Sequence, residues 1–382
     1  MKSGIIIGAG IGGLTTAIAL FKKGFNIEIY EQAKELNEIG AGIWVAPNGL
    51  KVFEQLGIAH EIISAGHPLH KISVTDIHYN PISIIDGQVI RNKYSFNTVA
   101  IHRGRLQKIL ASHIPEGKLF LQKRMKSYHH TSNRVIAEFE DGSTKEADFI
   151  IAADGIKSHA RLQMTKSLDL RYSGQTCWRF VTNFDLPQSE ENNMYELWSD
   201  KKGLRVGYSK ISEQQVYVFI THYAKSGEID QLVTLKNDLL KLCNEFPPLI
   251  LDLIESTSLN HIIRTDLFDF KPIRQWTDGR VALMGDAAHA TTPNLGQGAC
   301  QAIEDAQIIA DSLSQEDHIP AALKLYAQRR IKKAHYITNT SWRFAQITNT
   351  TGFVKSILKY ILRITPTVLQ KRQFDKMYSL DI

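Results

Sequence analysis

The sequence predicts an α/β protein in which a Rossmann-like nucleotide-binding domain is interleaved with an antiparallel-sheet domain and followed by a helical C-terminus. Three observations lead to this prediction. The chain opens with an apolar run, a glycine-rich turn and a helical pattern, and residues 170 to 224 alternate as antiparallel strands do. A second strand and glycine-rich turn appear near residue 285. Because nucleotide-site features lie at both ends of the chain, we expect the domains to interleave.

The composition is that of an ordinary globular protein. The 382 residues are 43% hydrophobic and 22% charged, enough for a large core in two packed domains or one large one. The net charge of +6 comes from basic residues scattered among acidic ones, so no nucleic-acid partner is expected. The three cysteines, Cys177, Cys243 and Cys300, are far apart, which argues against a disulfide framework or a zinc site. We therefore expect no metal site and a cytoplasmic location.

Residues 4 to 21 carry no charge and follow Lys2, as in a signal peptide or a membrane anchor. Five of these eighteen residues are glycine, which leaves too little hydrophobic drive for a spanning helix. No small-residue cleavage site follows before the charged run at Lys22. Neither export nor membrane insertion is expected from this segment.

The opening segment reads as a βαβ unit with the GxGxxG pattern at Gly8, Gly10 and Gly13. Gly8 permits a tight turn, Gly10 lets a pyrophosphate approach the backbone, and Gly13 allows close helix packing. Glu31 ends the second strand, where a carboxylate accepts from ribose hydroxyls and disfavours a 2′-phosphate. This leaves NAD or FAD as the ligand. A purely structural glycine turn is the alternative.

The second feature is GDAAHATTPNLGQG at residues 285 to 298. A buried strand delivers Asp286 to its C-terminal end, and the glycine turn opens another helix. One ligand touched at both ends of the chain must be long. A flavin dinucleotide suits this arrangement, because its ribitol offers hydroxyls to a carboxylate and its reduced ring is favoured by a helix N-terminus. From chemistry alone, a helix-capping Asp286 and an ordinary turn are equally open.

Four motifs in order resemble the single-component FAD-dependent aromatic hydroxylases, the group of p-hydroxybenzoate and salicylate hydroxylases. They are GAGIGGL with Glu31, HRGRLQ, IIAADGIKSHAR and GRVALMGDAAHATTPNLGQGACQAIEDA, and the resemblance runs from residue 4 to at least residue 330. The PNLGQG motif makes the chain most similar to the branch of salicylate hydroxylase, FAD-dependent urate hydroxylase and zeaxanthin epoxidase. The resemblance implies FAD as the cofactor.

The same resemblance implies roles for individual residues. Arg103 would lie along the FAD pyrophosphate, and Asp154 with Gly155 would serve both FAD and the nicotinamide nucleotide. Gly285 and Asp286 would hold the ribitol, while the isoalloxazine would be lined by Pro293, Gly296, Gln297 and Gly298. A surface helix arginine and a strand-ending turn are the alternatives for Arg103 and for the pair Asp154 and Gly155.

There is no second GxGxxG motif for a reductant. By resemblance, NADH or NADPH binds transiently, reduces the flavin and leaves, and O2 then gives a flavin C4a-hydroperoxide that transfers oxygen to an electron-rich substrate. The expected partners are thus a small-molecule substrate, O2 and NAD(P)H, for a monomer or a homodimer. Exclusion of water protects such a peroxide from unproductive decay.

The expected FAD-binding domain is discontinuous, comprising residues 1–70, 98–168 and 275–330. The substrate-binding β-sheet domain would comprise residues 71–97 and 169–274, and the C-terminal helices residues 331–382. Within the nucleotide-binding part, residues 135 to 152 are predicted to form two strands around an Asp-Gly turn. A packed helix pair is expected near the C-terminus, so membrane contact is not expected.

Candidate substrate residues come from the alternating strands. Alternation places Arg179 opposite Trp178, and places Arg205 on a face opposite its apolar neighbours. An arginine on an inner face binds an anionic oxygen, whereas the alternative is a solvated face. Tyr217 is a further candidate and His222 a weaker one, for which a core position is the alternative. Pro293 completes the candidate catalytic set.

These observations predict a FAD-dependent monooxygenase that hydroxylates a small aromatic or heteroaromatic compound. An epoxidase acting on an isoprenoid or carotenoid-like alkene is the alternative within this fold. A FAD-dependent reductase that inserts no oxygen, and a flavin-binding protein without turnover, also remain open. The substrate and the choice between NADH and NADPH do not follow from the sequence.

Overall fold

The computed structural model describes residues 1–36, 41–365 and 367–380, with side chains throughout except at 367–371. The strands of this part of the chain are β1 (Ser3–Ile7), β2 (Asn26–Tyr30), β3 (Gly42–Val45), β4 (His67–Leu69), β5 (Lys71–Asp76), β6 (Pro81–Asp86), β7 (Thr98–His102), β8 (Leu119–Phe120), β9 (Met125–His130), β10 (Val135–Phe139), β11 (Thr144–Ala147), β12 (Phe149–Ala152), β13 (Leu170–Asn183), β14 (Asn193–Trp198), β15 (Arg205–Lys210), β16 (Gln215–Tyr223), β17 (Ile263–Phe270), β18 (Thr277–Asp278) and β19 (Val281–Leu283).

The helices are α1 (Ile11–Lys22), α2 (Pro47–Gln55), α3 (Ala59–Ala65), α4 (Gly87–Tyr94), α5 (Arg103–Ser112), α6 (His159–Thr165), α7 (Leu232–Leu242), α8 (Pro248–Glu255), α9 (Asp286–His289), α10 (Gly298–Gln315), α11 (Ile319–Thr348), α12 (Gly352–Ile364) and α13 (Thr367–Tyr378). Short 3₁₀ turns occupy Leu259–His261 and Pro293–Leu295.

A six-stranded sheet in the order β18-β19-β12-β1-β2-β8 forms the nucleotide-binding half. All its neighbouring strands pair in parallel except β18 and β19. Ile7 at the end of β1 pairs with Ala152 at the end of β12, which pairs with Leu283 at the end of β19. Three separate segments of the sequence therefore end at the same edge of the sheet, where ligands bind in open α/β sheets.

A seven-stranded sheet in the order β17-β13-β16-β15-β14-β5-β6 forms the other half, antiparallel except for the parallel pair β14 and β5. One face packs against α7 and α8 through a buried apolar cluster that contains Trp178, Val206 and Tyr208. The alternation predicted for β13 and β15 is thus observed. The opposite face carries Arg179 and Arg205 toward a large cavity.

The predicted fold class is confirmed by this arrangement of a parallel nucleotide-binding sheet, a mostly antiparallel sheet and terminal helices. We retain the predicted domain boundaries as a proposal. Their main support is that β5 and β6, from residues 71–86, join the sheet formed by residues 170–270.

The two strands predicted for residues 135 to 152 are three strands in the structure. After the turn that contains Gly142, β11 returns to pair with β10, whereas β12 leaves this hairpin and joins the parallel sheet between β1 and β19. Asp148 lies at the change of direction, where its carboxylate accepts hydrogen bonds from the Ser3 N–H and hydroxyl at 2.7 and 2.9 Å. The polar side chain ends the hairpin and fastens it beside β1.

Among the described residues, α12 contacts β6 and α13 contacts α2 and α11, and the packed C-terminal helix pair stays a prediction. Much of the apolar surface of α12 is exposed. The exposed apolar side chains of α12 are Phe353, Val354, Ile357, Tyr360, Ile361 and Ile364. No helix within residues 1–36, 41–365 and 367–380 has the combined length and hydropathy needed to cross a membrane.

Candidate cofactor and substrate site

The glycine-rich turn after β1 has the tight geometry that its spacing predicts. Gly8 has φ of +102°, and a Cβ added there would lie 2.4 Å from the Ala153 carbonyl oxygen. A Cβ added at Gly13 would lie 2.0 Å from the Gly8 carbonyl oxygen, so only glycine permits this contact between turn and helix. At Gly10, in contrast, the space is open. The N-terminus of α1 is thus accessible to an anionic group.

Glu31 lies directly after β2, and its carboxylate is held by two backbone N–H groups. Its Oε2 atom accepts a hydrogen bond from the Ala9 N–H at 2.7 Å, and its Oε1 atom accepts from the Ala33 N–H at 2.9 Å. Gln107 of α5 donates to the Ala9 carbonyl oxygen at 2.7 Å, which fastens the same turn from the other side. A carboxylate oxygen has more than one acceptor position, so Glu31 retains capacity for a ribose hydroxyl.

Asp154 follows β12, and one of its carboxylate oxygens is left without a partner. Its Oδ2 atom accepts from the N–H groups of His159 and Ala160 at the start of α6, at 2.9 and 3.3 Å. Its Oδ1 atom is buried and has no hydrogen-bond partner, and burial raises the pKa of this carboxyl group. Buried polar atoms are nearly always paired, so this atom marks a place for a hydroxyl or amide donor from a ligand. Gly155 follows with φ of +78°.

Asp286 follows β19 and projects into the cavity. Solvent in the cavity reaches the side chain, but the surrounding protein raises the pKa of the carboxyl group. The nearby side chains of His289, Arg103 and Arg161 oppose that rise only in part. The N-cap of α9 is Gly285, at φ of +54°, and no side chain caps this helix. The structure thus does not support the helix-capping alternative for Asp286.

Arg103 begins α5 and also faces the cavity. The surrounding protein lowers the pKa of its guanidinium group, an effect that Asp286 counteracts and Arg179 reinforces. Three charged side chains from α5, α9 and β13 therefore meet in one electrostatic environment. Arg103 is exposed and lines the cavity, so its role along the pyrophosphate stays a prediction.

A buried network that sequence reasoning missed lies behind Asp286. Asp305 of α10 accepts from the Gly285 N–H at 2.9 Å, contacts the His289 ring at 2.6 Å, and accepts from Arg330 of α11 at 2.7 Å. The His289 ring and the Arg330 guanidinium hold the pKa of Asp305 well below its usual range despite burial. The signal for this network was an acidic residue in the apolar pattern of α10, which charge patterning alone does not distinguish from a surface position.

Arg161 is a second residue that sequence reasoning missed. It is buried, donates to the carbonyl oxygens of Asp286 and Ala287 at 3.4 and 3.0 Å, and lies 3.9 Å from the ring centroid of Phe270. One arginine thus joins the segment after Asp154 to the segment after β19 and to the seven-stranded sheet. Its presence in the motif GIKSHAR was the only available signal.

The segment from residue 293 to 298 forms a turn against Trp44. Pro293 begins a 3₁₀ turn and faces the cavity, and Gly296 has φ of +60° with its backbone close to the Trp44 ring. Gly298 begins α10. The Gln297 side chain is buried, and its amide oxygen is already engaged because it accepts from the Asn48 amide at 3.0 Å.

The sheet face above this turn is defined by strand register. Arg179 pairs with Phe219, which pairs with Gly207, so these residues point to the same side. Tyr217 and Arg205 lie on the same face, and both line the cavity. His222 has the opposite parity on β16 and does not line the cavity.

The two arginines differ in how fully their donors are used. Arg205 is 2% exposed and donates to Thr221, Glu196 and Asn294 at 3.2, 2.8 and 2.7 Å. Arg179 donates to the Thr265 hydroxyl at 2.7 Å, and its buried Nε has no partner. Arg205 therefore links the sheet to the turn at Pro293, whereas Arg179 retains donors for a ligand.

Apart from the weaker candidate His222, the predicted site residues line a single cavity of about 1150 Å³. They are Gly8, Gly10, Gly13, Glu31, Arg103, Asp154, Gly155, Arg179, Arg205, Tyr217, Gly285, Asp286, Pro293, Gly296, Gln297 and Gly298. Three features follow one another along this cavity: the open N-terminus of α1, the unpartnered Asp154 oxygen and the cavity-facing Asp286. These features fit a long dinucleotide with polar groups at both ends and in its middle.

Comparison with known proteins gives consistent results. Residues 2–341 match the family model described as FAD binding domain. The chain is 36% identical to Aurachin C monooxygenase/isomerase of Stigmatella aurantiaca, over 91% of this chain and 90% of that protein. It is 30% identical to a FAD-dependent urate hydroxylase of Klebsiella pneumoniae, over 90% of each. The structure of Klebsiella pneumoniae HpxO complexed with FAD and uric acid superimposes with a TM-score of 0.92 at 27% identity, covering 100% of this chain and 97% of that one.

Proposed function

We propose that this chain, which belongs to the FAD binding domain family and is a FAD-dependent monooxygenase of the aromatic hydroxylase type, uses NADH or NADPH and O2 to hydroxylate a small aromatic or heteroaromatic ring. When bound, FAD would supply the redox chemistry: it would take two electrons from the reductant and activate O2, one atom of which would enter the ring while the other leaves as water. The protein binds, orients and shields the reacting groups.

The observation that carries this proposal is the continuity of the cavity. It runs from Gly10 and Glu31, past Asp154 and Asp286, to the face of the seven-stranded sheet that carries Arg179. A cofactor held along the first part presents its ring to whatever binds against the sheet. Proximity of this kind replaces a bimolecular encounter by a positioned reaction.

For the cofactor, we propose that Glu31 accepts from the ribose, that Arg103 neutralises the pyrophosphate, and that Asp286 accepts from the ribitol. The Gly285 N–H donates to Asp305, so the backbone that carries Asp286 is held in place before the cofactor arrives. The backbone of Gly296 to Gly298, with Pro293, would border the flavin ring. Preorganised dipoles of this type cost no reorganisation when charge develops.

For the substrate, we propose that Arg179 binds an anionic or phenolic oxygen. Its unpartnered Nε supports this role, because a buried donor without an acceptor is unfavourable until a ligand supplies one. Tyr217 is a second polar contact, and burial raises the pKa of its phenol, so that it remains a hydrogen-bond donor at neutral pH. Arg205 acts by positioning Asn294 beside the turn at Pro293.

For the reductant, we propose transient binding of NADH or NADPH close to Asp154 and Gly155, outside the main cofactor position. We also propose a cytoplasmic location, where both nicotinamide nucleotides are available and where the buried thiols of Cys177, Cys243 and Cys300 stay reduced. A monomer or a homodimer is consistent with the proposal.

The proposal is tested by screening aromatic compounds for stimulation of NADH and NADPH oxidation by the FAD-loaded protein. We expect slow oxidation without substrate and a rise of at least about tenfold with a suitable ring, because reduction without substrate only yields hydrogen peroxide. Reductant consumption without O2 uptake would instead indicate a reductase. A stoichiometric and tight NAD(P) complex in calorimetry would contradict transient binding.

A further inference from the structure

We infer that the aromatic ring of the substrate carries an apolar aliphatic chain, and that this chain lies in an arm of the cavity between β5 and β6 on one side and α12 and α13 on the other. The inference rests on the proposed function, because it places the ring beside Arg179. It narrows the substrate class to amphiphilic aromatic compounds with a polar head and an apolar tail.

Strand register carries the first step. Ile72 of β5 pairs with Met194 of β14 and with Ile85 of β6, and Val74 pairs with Glu196 of β14. Directly paired residues point to the same face of a sheet. All five of these side chains line the cavity. The face that bears the arginines therefore continues without interruption onto β5 and β6.

The side chains on this face change from charged to apolar along the sheet. The strands nearest the cofactor edge carry Arg179 and Arg205, and Glu196 on β14 pairs with Arg205 at 2.8 Å. Beyond this ion pair, the cavity is bordered by Met194, Ile72 and other aliphatic side chains. A ligand that contacts the whole face must be polar at one end and apolar at the other.

The opposite wall of the arm is mainly apolar, with Thr365 and Gln373 as its polar members. Leu362 of α12 and Phe374, Met377 and Tyr378 of α13 line the same cavity. Phe374 and Tyr378 stack with ring centroids 5.6 Å apart, and both belong to or pack on the apolar cluster that Ile85 contacts. Two apolar walls facing one another form a slot suited to a hydrocarbon chain.

The exposure of these side chains supports a ligand rather than a closed core. Ile72, Val74 and Ile85 are half-buried although they face the interior of the molecule, so their free surface borders the cavity. Covering that surface with a hydrocarbon chain is favourable by about 25 cal/mol per Å². A single polar ring bound at Arg179 would leave the cavity-facing surface of Ile72, Val74 and Ile85 uncovered.

The experiment uses the FAD-loaded protein and a series of 4-alkylphenols from 4-methylphenol to 4-octylphenol. Calorimetry gives the dissociation constant and its temperature dependence without any need for turnover. We expect affinity to rise by up to about fourfold for each methylene that becomes fully buried, until the arm is filled. The heat capacity change of binding should become more negative with chain length. Affinity that is independent of chain length, or absent binding at every chain length, overturns the inference.

Two substitutions of Ile85 and one matched control locate the chain. Ile85→Ser removes apolar wall, and Ile85→Trp fills the arm, so both should reduce the gain per methylene while 4-methylphenol binds as before. Ile84→Ser is the control, because Ile84 is the adjacent residue on β6, is 42% exposed and does not line the cavity. An equal gain per methylene in all three variants would place the chain elsewhere and overturn the inference.

Failure of this inference can be distinguished from failure of the proposed function. If 4-methylphenol stimulates NAD(P)H oxidation but chain length has no effect on binding, the apolar arm is wrong and the hydroxylase proposal stands. If longer chains bind more tightly through Ile85 but no phenol in the series or in a broader aromatic panel stimulates oxidation, the arm is present and the proposed reaction is what fails.

Discussion

At the residue scale, the proposed cofactor contact of Asp286 depends on where its carboxylate points. Two readings of this residue were open in the sequence, a helix cap and a ligand contact, and they differ in where the carboxylate points. In the structure it points into the cavity beside Arg103, while Gly285 occupies the capping position. Residue type and spacing were sufficient to select Asp286, but its direction depends on packing between α9, α10 and α11.

Replacing Asp286 by alanine should weaken FAD binding. A hydrogen bond to a charged group contributes about 1.5 to 3 kcal/mol, so we expect a roughly ten- to hundredfold higher dissociation constant. Quenching of flavin fluorescence on titration of the apoprotein measures it. Asp311→Ala, on the same half of the molecule but outside the cavity, is a suitable control. Equal affinity in the Asp286 variant and the wild type would remove this residue from the cofactor contacts.

FAD affinity should also depend on pH through Asp286. The surrounding protein raises the pKa of its carboxyl group, and a ribitol hydroxyl donates a stronger hydrogen bond to the ionised carboxylate than to the neutral acid. Binding should therefore weaken as pH falls through this raised pKa, at a higher pH than for an ordinary aspartate. Asp286→Asn has no carboxyl group to titrate, and its pH profile should be flatter than that of the wild type. Identical profiles for the two proteins would show that another group is responsible.

Arg179 and Arg205 should give different phenotypes when replaced by alanine. Arg179→Ala should raise the substrate dissociation constant by roughly ten- to a hundredfold and increase hydrogen peroxide per product, with FAD affinity unchanged. Arg179→Lys should recover only part of the lost substrate affinity, because a lysine ammonium group lacks the planar geometry of a guanidinium. If Arg179→Ala leaves substrate affinity and coupling as they were, the substrate oxygen binds elsewhere.

Arg205→Ala should act on stability instead. It leaves the charge of the buried Glu196 carboxylate uncompensated and should lower the free energy of unfolding by about 3 kcal/mol, seen as a lower thermal midpoint.

At the scale of secondary-structure elements, helix α12 is held to the protein through an unusual buried lysine. Lys355 is 1% exposed, and its Nζ donates to the Lys201 carbonyl oxygen at 2.9 Å. Burial lowers the pKa of this amine to about 8, with Lys359 and Arg205 adding to the shift while Asp200 and Glu245 oppose it. The amine is therefore costly to bury in its charged form, and helix docking becomes sensitive to alkaline pH.

Lys355 should make stability rise with pH in the alkaline range. Between the folded pKa of about 8 and the unfolded value of 10.5, the unfolded chain binds more protons, so raising pH stabilises the folded state. Lys355→Met should lose this pH dependence and melt about 1 °C higher at pH 7, because removing the buried charge contributes about 1 kcal/mol and a chain of 382 residues shifts by only about 1 °C per kcal/mol. The measurement is the difference in thermal midpoint between the two proteins from pH 7 to 10. A constant difference would contradict the assignment.

Elements with a strong hydrophobic periodicity were predictable from the sequence. Elements whose start or end depends on a single side chain were not. The βαβ opening and the alternation in β13 and β15 follow from periodicity, because each has one face in a core. Helix α4 was missed, since it is short and weakly apolar, and its start depends on the Asp86 carboxylate accepting from the Gln88 N–H at 2.8 Å. The break before β12 likewise depends on Asp148 binding Ser3.

At the scale of the whole molecule, the site arises because distant segments end at one edge of a sheet. The order β19-β12-β1 brings Asp286, Asp154 and Gly8 together, although they are far apart in the chain. Strand order and register are properties of long-range packing, so the sequence indicated these residues but not their common position. The arm beside β5 and β6 was not predicted at all, because it depends on register across strands and on the placement of α13.

The central claim is that this cavity inserts an atom of molecular oxygen into an aromatic ring. The most direct measurement is product mass after turnover of a stimulating aromatic compound with NADH or NADPH under ¹⁸O₂ in unlabelled water. The account predicts that the hydroxylated product gains one ¹⁸O atom per molecule, with one reductant consumed for each coupled turnover. A product without the label, or reduced substrate with no oxygen added, would contradict it.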